Sequence, residues 1–187
     1  MDGASFVAAP SLVGLPVDEK PFHLQLVDAG YDVWIGNNRG TEYSRGHKTL
    51  SAVDDEKEYW DFSFAELGLY DDTANVQMIK KEAGVDKIYY IGYSLGTTQM
   101  FYGLAHEEAT GFADSLHKVI ALAPCFATDQ AYFPTCDGPE CVADLIETDE
   151  NIGLYHAFGP NFADNVERFC ESIDSERCEF FRNDYGY

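Results

Sequence analysis

The stretch Ile88-Tyr89-Tyr90-Ile91-Gly92-Tyr93-Ser94-Leu95-Gly96 constrains the fold more than any other part of the chain. Its first four residues are β-branched or aromatic, the composition of a strand, and Leu95 to Glu107 can continue as a helix. A strand that passes into a helix over so few residues needs a sharp turn. Gly92 and Gly96 flank its apex, Ser94, and lack side chains that would clash with the neighbouring strand and helix. The apex residue is then held in a strained backbone conformation that lifts its side chain above the carboxyl end of the sheet. A serine presented in this way is a candidate nucleophile, so Ser94 is the expected catalytic residue. The competing reading is a serine that only N-caps the helix. The preceding strand, both glycines and the small run Gly96-Thr97-Thr98 favour the nucleophile.

The helix after Ser94 begins with N–H groups that have no intrahelical acceptor and with the positive end of its dipole. The Leu95 N–H is therefore expected to hold a developing oxyanion. In strand-turn-helix sites of this type the second donor comes from a loop after an earlier strand. Asp2-Gly3-Ala4 precedes the first complete strand, and the Ala4 N–H is assigned that role.

Two further segments read as buried parallel strands, each short, β-rich and bounded by breakers: Tyr31-Asp32-Val33-Trp34-Ile35 and Lys118-Val119-Ile120-Ala121-Leu122. With Lys87 to Ile91 they make three. Helical stretches fall between or before them, from Pro21 to Ala29, Phe64 to Ala83 and Leu95 to Glu107. Strands alternating with helices imply an α/β fold with a parallel sheet covered on both faces. In the second helix Leu67, Tyr70, Ala74, Met78 and Ile79 recur at near-helical spacing and are expected to face the core, leaving Asp71, Asp72, Lys80, Lys81 and Glu82 to water. After residue 125 prolines and glycines interrupt short amphipathic pieces. The expected division is an incomplete core domain over 1–125 and a partial cap or lid over 126–187.

The chain carries 33 acidic against 12 basic residues, a formal net charge of -21. Such a surface repels phosphate backbones, so nucleic acid is not an expected partner. No apolar run has the length of a membrane span, and the N-terminus lacks the basic and apolar regions of a secretory signal. The five cysteines are Cys125, Cys136, Cys141, Cys170 and Cys178. Cys125 ends an apolar run and reads as a small buried hydrophobe. For the other four, disulfides are preferred, then reduced cysteines, and zinc last, since paired C-x₂-C units are lacking. No metal and no cofactor is expected.

Beyond the serine turn, the run from Asp28-Ala29-Gly30-Tyr31-Asp32-Val33-Trp34-Ile35-Gly36-Asn37-Asn38-Arg39-Gly40 through Tyr43-Ser44-Arg45 and His47 closely resembles a signature of the acid lipase family. That family comprises the gastric and lysosomal lipases and sterol esterases of the α/β-hydrolase fold. Tyr59-Trp60-Asp61-Phe62-Ser63-Phe64, Glu66, Tyr70-Asp71 and Tyr89 to Thr98 follow in the family's order, so the resemblance covers about residues 1 to 126. It implies a partial α/β-hydrolase, a neutral lipid ester as substrate, and a secreted or lysosomal type of compartment. Asn37, Asn38 and Arg39 follow a strand end, where polar groups that brace the loop are expected more often than substrate ligands.

The departures are Asp2-Gly3 where the family has His-Gly, and Leu95 where it commonly has Gln; neither removes a backbone N–H. The family's catalytic Asp and His follow the cap. None of His23, His47, His106, His117 and His156 matches the base position, so the chain alone is expected to hydrolyse little. A sheet of three strands would also leave edges and apolar faces uncovered. The chain thus reads as one part of a serine ester hydrolase of lipid substrates, completed by its C-terminal part or by a larger assembly. The alternatives are a non-catalytic relative with a structural or binding role, and another ester or thioester hydrolase using the same turn.

Overall fold

The computed structural model of the protein describes residues 20–125. Residues 20–48 and 62–125 belong to one compact unit, and residues 49–61 to a second. Within the second, α2 (Glu56–Tyr59) follows a turn in which the Asp55 carboxylate accepts from the Ser51 N–H at 2.9 Å.

Among the described residues, the first element of the first unit is α1 (Phe22–Asp28). Next come α3 (Phe64–Glu66), a π-helical turn (Leu67–Asp71) and α4 (Asp72–Ala83), which run on from one another. Ser63 starts this run with a reciprocal cap: its hydroxyl accepts from the Ala65 N–H at 3.1 Å, and the Glu66 carboxylate accepts from the Ser63 N–H at 2.8 Å. Gly84, at φ 68, ends it in the left-handed conformation that favours glycine. Then follow β1 (Ile88–Tyr93), α5 (Leu95–Ala105), α6 (Glu107–Thr110) and β2 (Leu116–Leu122).

The strands β1 and β2 pair in parallel, with Tyr89 opposite Lys118 and Tyr93 opposite Leu122, after an irregularity between Ile88 and Tyr89. A parallel pair needs a crossover, and α5 supplies it. The core is built where these elements meet: Val76, Met100, Phe112 and Leu116 are buried, and Ile88, Tyr90, Phe101, Leu104 and Ala121 pack against them. The π-helical turn and α5 approach closely at glycines; a Cβ on Gly68 would stand 2.5 Å from the Gln99 carbonyl oxygen. No helix among the described residues is long and apolar enough to cross a membrane.

Three expectations need correction. The predicted stripe on α4 is displaced: Tyr70 and Met78 are 59% and 46% exposed, Ala74 is also exposed, and Ile79 is only partly buried. The buried positions are Leu67, Gly68, Asp72 and Val76. The π-helical turn is the physical reason. Its i→i+5 bonds insert one extra residue, so a face followed at 3.6 residues per turn from Leu67 loses phase before α4 begins. Asp72 thereby points inward instead of to water, Asp71 and Lys80 are half-buried, and only Lys81 and Glu82 are exposed as expected.

The Tyr31–Ile35 segment is not a strand of the sheet among the described residues, which contain a two-stranded sheet of β1 and β2. Residues 31–36 and 88–93 line one groove of about 710 Å³. Consistent with that, Tyr31, Trp34 and Ile35 are 56%, 41% and 42% exposed, and Tyr89, Val119 and Ile120 on the strands are exposed as well. The sheet is therefore not covered on both faces by the described residues. Finally, Cys125 is exposed with a free thiol, not buried. It lies past the end of β2, where its backbone bonds to Thr97 and Thr98 and its thiol donates to the Ala123 carbonyl at 3.6 Å.

Candidate active site

Ser94 lies between the last residue of β1 and the first of α5, at φ 49 and ψ -116. A non-glycine residue rarely takes positive φ, and this conformation costs on the order of 1–3 kcal/mol unless its surroundings hold it. They do so from both sides. The Ser94 N–H donates to the Leu122 carbonyl at 3.0 Å, extending the strand pairing by one bond. The Ser94 carbonyl accepts from the Thr97 N–H at 2.8 Å and from the Thr97 hydroxyl at 2.6 Å. Thr97 is fully buried, and its hydroxyl also accepts from the Cys125 N–H at 2.9 Å, while the Thr98 hydroxyl donates to the Cys125 carbonyl at 2.5 Å. The residues beyond β2 thus fasten the turn.

The glycines contribute unequally. A Cβ at Gly92 would sit 2.6 Å from the Gly96 carbonyl oxygen, 2.8 Å from its carbon and 3.0 Å from the Thr97 nitrogen. Backbone on both sides leaves nothing that can yield, so glycine is required there. A Cβ at Gly96 meets nothing within 4 Å among the described residues. The expected steric need for both glycines therefore holds at Gly92 alone.

Ser94 occupies the N-cap position of α5, yet its side chain makes no capping hydrogen bond. A serine present only to cap would accept from the second or third N–H of the helix. Leu95 is the first residue of α5 and 40% exposed, so its N–H belongs to the first turn, where donors lack intrahelical acceptors. Ala4, the other assigned oxyanion donor, lies outside the described residues, as do His156 and the four later cysteines.

Three of the described histidines are engaged with aromatic neighbours. His106 follows the last residue of α5, roughly 16 Å along the helix, where its Nδ1 lies 2.9 Å from the Tyr102 carbonyl and its ring stacks on Tyr102. His117 packs on Tyr89 near the opposite end of the strand pair from Leu122. His23 lies on α1, edge-on to Phe22.

The loop at 37–39 is braced, as its polar residues suggested. Arg39 donates from its backbone N–H to Asp71 Oδ2 at 2.8 Å, and from Nε and a terminal nitrogen to Asp71 Oδ1 at 2.8 and 2.7 Å. Its guanidinium also lies 5.8 Å from the Phe62 ring centroid and 5.7 Å from that of Tyr70. A lysine has the charge without the fork. Arg39→Lys is expected to lower stability by about 1 kcal/mol, discounted because the arginine side chain is 37% exposed, and thermal unfolding checks it.

Beneath Ser94 lies a polar cluster that the sequence pattern did not reveal. Asn38 Nδ2 donates to Gln99 Oε1 at 2.8 Å, and Gln99 Nε2 donates to Asp72 Oδ1 at 2.7 Å. The Tyr90 hydroxyl lies 3.0 and 3.1 Å from the Asp72 carboxylate oxygens and 3.2 Å from the Gly96 carbonyl. Asp72 is 4% exposed. Burial raises its pKa to about 7, against the lowering effect of the Gln99 and Tyr90 hydrogen bonds, and the Asp71 charge pushes the same way as burial. The Tyr90 hydroxyl is raised well above its ordinary value, chiefly by burial and then by the Asp72 charge. The available signal was the capping box Ser63-x-x-Glu66, which fixes where the helix starts; nothing in the sequence marks the π-helical turn that follows.

An α/β arrangement of this kind agrees with what comparison with known proteins finds. The model of the alpha/beta hydrolase fold family matches residues 19–140. Lipase member M of Homo sapiens is 43% identical over 109 residues, 58% of this chain and 25% of that protein. Lysosomal acid lipase/cholesteryl ester hydrolase of Macaca fascicularis is 42% identical over 104 residues, 56% of this chain and 25% of that protein. A probable lipase of Schizosaccharomyces pombe is 43% identical over 156 residues, 79% of this chain and 32% of that protein. The matched part of the chain thus spans a quarter to a third of the length of these relatives. With the family model covering well over half of its residues, the chain belongs to the alpha/beta hydrolase fold family.

Proposed function

We propose that the protein is a serine hydrolase of neutral lipid esters, of the lipase or sterol-ester hydrolase kind, and that it works through an acyl-serine intermediate. The observation that carries this reading is Ser94 at φ 49 without a capping bond. Strain that does nothing for the fold is kept where chemistry uses it. The names of the relatives, lipase and cholesteryl ester hydrolase, support the substrate class.

In this reading the Ser94 hydroxyl attacks the ester carbonyl and gives its proton to a histidine base. The Leu95 and Ala4 N–H groups stabilise the oxyanion of the tetrahedral intermediate. The alcohol departs with the proton, and water then releases the fatty acid and restores the serine. The histidine and its orienting carboxylate are placed outside residues 20–125, since His106 lies at the far end of α5 and His117 near the far end of the strand pair. The division into a core over 1–125 and a cap over 126–187 belongs to the same proposal.

Two variants of the native protein test it. Ser94→Ala is expected to lower hydrolysis of medium- and long-chain esters by about 10⁴-fold or more. Ser94→Gly is expected to do the same and yet raise the unfolding midpoint, because glycine tolerates positive φ. A protein that kept the fold for a structural or binding role would show neither loss.

A further inference from the structure

The cluster of Asp72, Tyr90 and Gln99 touches the serine turn at one end and the 37–39 loop at the other. We propose that Asp72 is a positioning residue for Ser94, tying the first turn of α5 to β1 and to the Asn38 loop through Tyr90 and Gln99. This rests on the reading of Ser94 as the nucleophile and extends it to what holds the nucleophile in register.

Proton supply links Asp72 to the turn. The Tyr90 hydroxyl has a single proton and two acceptors within reach, the Asp72 carboxylate at 3.0 Å and the Gly96 carbonyl at 3.2 Å. When Asp72 is ionised, its carboxylate draws that proton, and the Gly96 carbonyl is left to its helical partner. When Asp72 is protonated, its own O–H can donate to the Tyr90 oxygen, and the Tyr90 proton turns to Gly96. One proton gained at Asp72 thus becomes one hydrogen bond gained at Gly96, two residues from Ser94. The Gly96 carbonyl is also the atom that Gly92 approaches so closely, so a shift there is passed to the turn itself. At the other end, the Gln99 amide donates to Asp72 and accepts from Asn38, so the same event alters the polarisation of the loop contact.

The groups that face Asp72 are few. From β1 comes Tyr90, from α5 the neutral Gln99, and from the preceding π-helical turn Asp71, whose charge is paired with Arg39. No cation pairs with Asp72 among the described residues. Its protonation is therefore governed by burial and by neutral donors, and falls in the neutral pH range.

The test uses the full chain and two readouts. The first is the ¹⁵N shift of Thr97, whose nitrogen shares a peptide group with the Gly96 carbonyl, followed with the Asn38 side-chain amide across the pH range. Both are expected to titrate with one midpoint near 7 and to become flat in Asp72→Asn. Tyr90→Phe retains the acid but removes the link, so Asn38 still titrates and Thr97 does not; this variant decides the matter even where Asp72→Asn fails to fold. A Thr97 signal that does not titrate, or that titrates equally in Tyr90→Phe, overturns the proposal.

The second readout is the rate at which a fluorophosphonate modifies Ser94. The ratio of wild-type to Asp72→Asn rates is expected to change about threefold or more across the Asp72 titration. A constant ratio overturns the positioning role alone. No modification of Ser94 at any pH instead fails the nucleophile reading, so the two failures are distinct.

Discussion

Gly92→Ala is expected to unfold the serine turn, lowering stability by about 3 kcal/mol or more, the upper end of the cost of overpacking a filled site. The added Cβ would stand 2.6 and 2.8 Å from the carbonyl oxygen and carbon of Gly96. These are backbone atoms of the first turn of α5, and that turn is fastened to the residues beyond β2 by the Thr97 and Thr98 hydroxyls. The strain therefore cannot be relieved by a rotamer change. Gly96→Ala serves as the contrast, since its Cβ meets nothing within 4 Å among the described residues and should cost about 1 kcal/mol or less. Urea unfolding of the two variants, compared by midpoint at equal slope, checks the difference. Equal losses would mean that β1 and α5 do not cross as closely as described.

The second large effect is on the pH dependence of stability. Burial raises the pKa of Asp72 from the ordinary 3.8 to about 7 in the folded protein. Between those values the folded state binds more protons than the unfolded state, so this group lowers stability as pH rises through the window. The shift is about three units, which corresponds to on the order of 4 kcal/mol between acid and neutral pH, as a ceiling that relaxation of the site reduces. Other carboxylates that are stabilised in the fold act in the opposite sense, so the clean measurement is the difference between wild type and Asp72→Asn. That difference is expected to move in favour of the variant as pH increases from about 4 to about 7 and to level off above. Urea unfolding at several pH values measures it, and a difference independent of pH would show that Asp72 titrates alike in both states.

Much of this architecture is written locally, and that part was legible. Ile88 to Ile91 and Val119 to Leu122 are apolar or aromatic runs bounded by breakers, and they pair as parallel strands. The helices expected over 21–29, 64–83 and 95–107 form within about two residues of those limits. The serine turn was legible for the same reason: Gly92 is dictated by backbone a few residues away in sequence.

What was not legible depends on contacts distant in sequence or on a change of helical phase. Asp72 reads as a surface residue in any 3.6-residue projection, and only the one-residue slip of the π-helical turn carries it beneath Tyr90 and Gln99. Tyr31 to Ile35 has a strand's composition, but composition does not supply a neighbour, and an open groove lies beside it. Cys125 sits in an apolar context and is nevertheless exposed, since its backbone, not its thiol, serves the turn. As for the proposed site, Ser94 and the Leu95 N–H could be nominated because both belong to a single continuous turn. A base and an acid reach a serine across the fold, and no local pattern near Ser94 names them.

Ser94 is proposed as a nucleophile and not a structural serine. The most direct test is to treat the native protein with a fluorophosphonate probe, digest it and locate the adduct by mass spectrometry. One stoichiometric adduct is expected on the peptide that carries Ser94, absent from Ser94→Gly even though that variant is at least as stable. An adduct on another serine, or undiminished ester hydrolysis in Ser94→Gly, would contradict it.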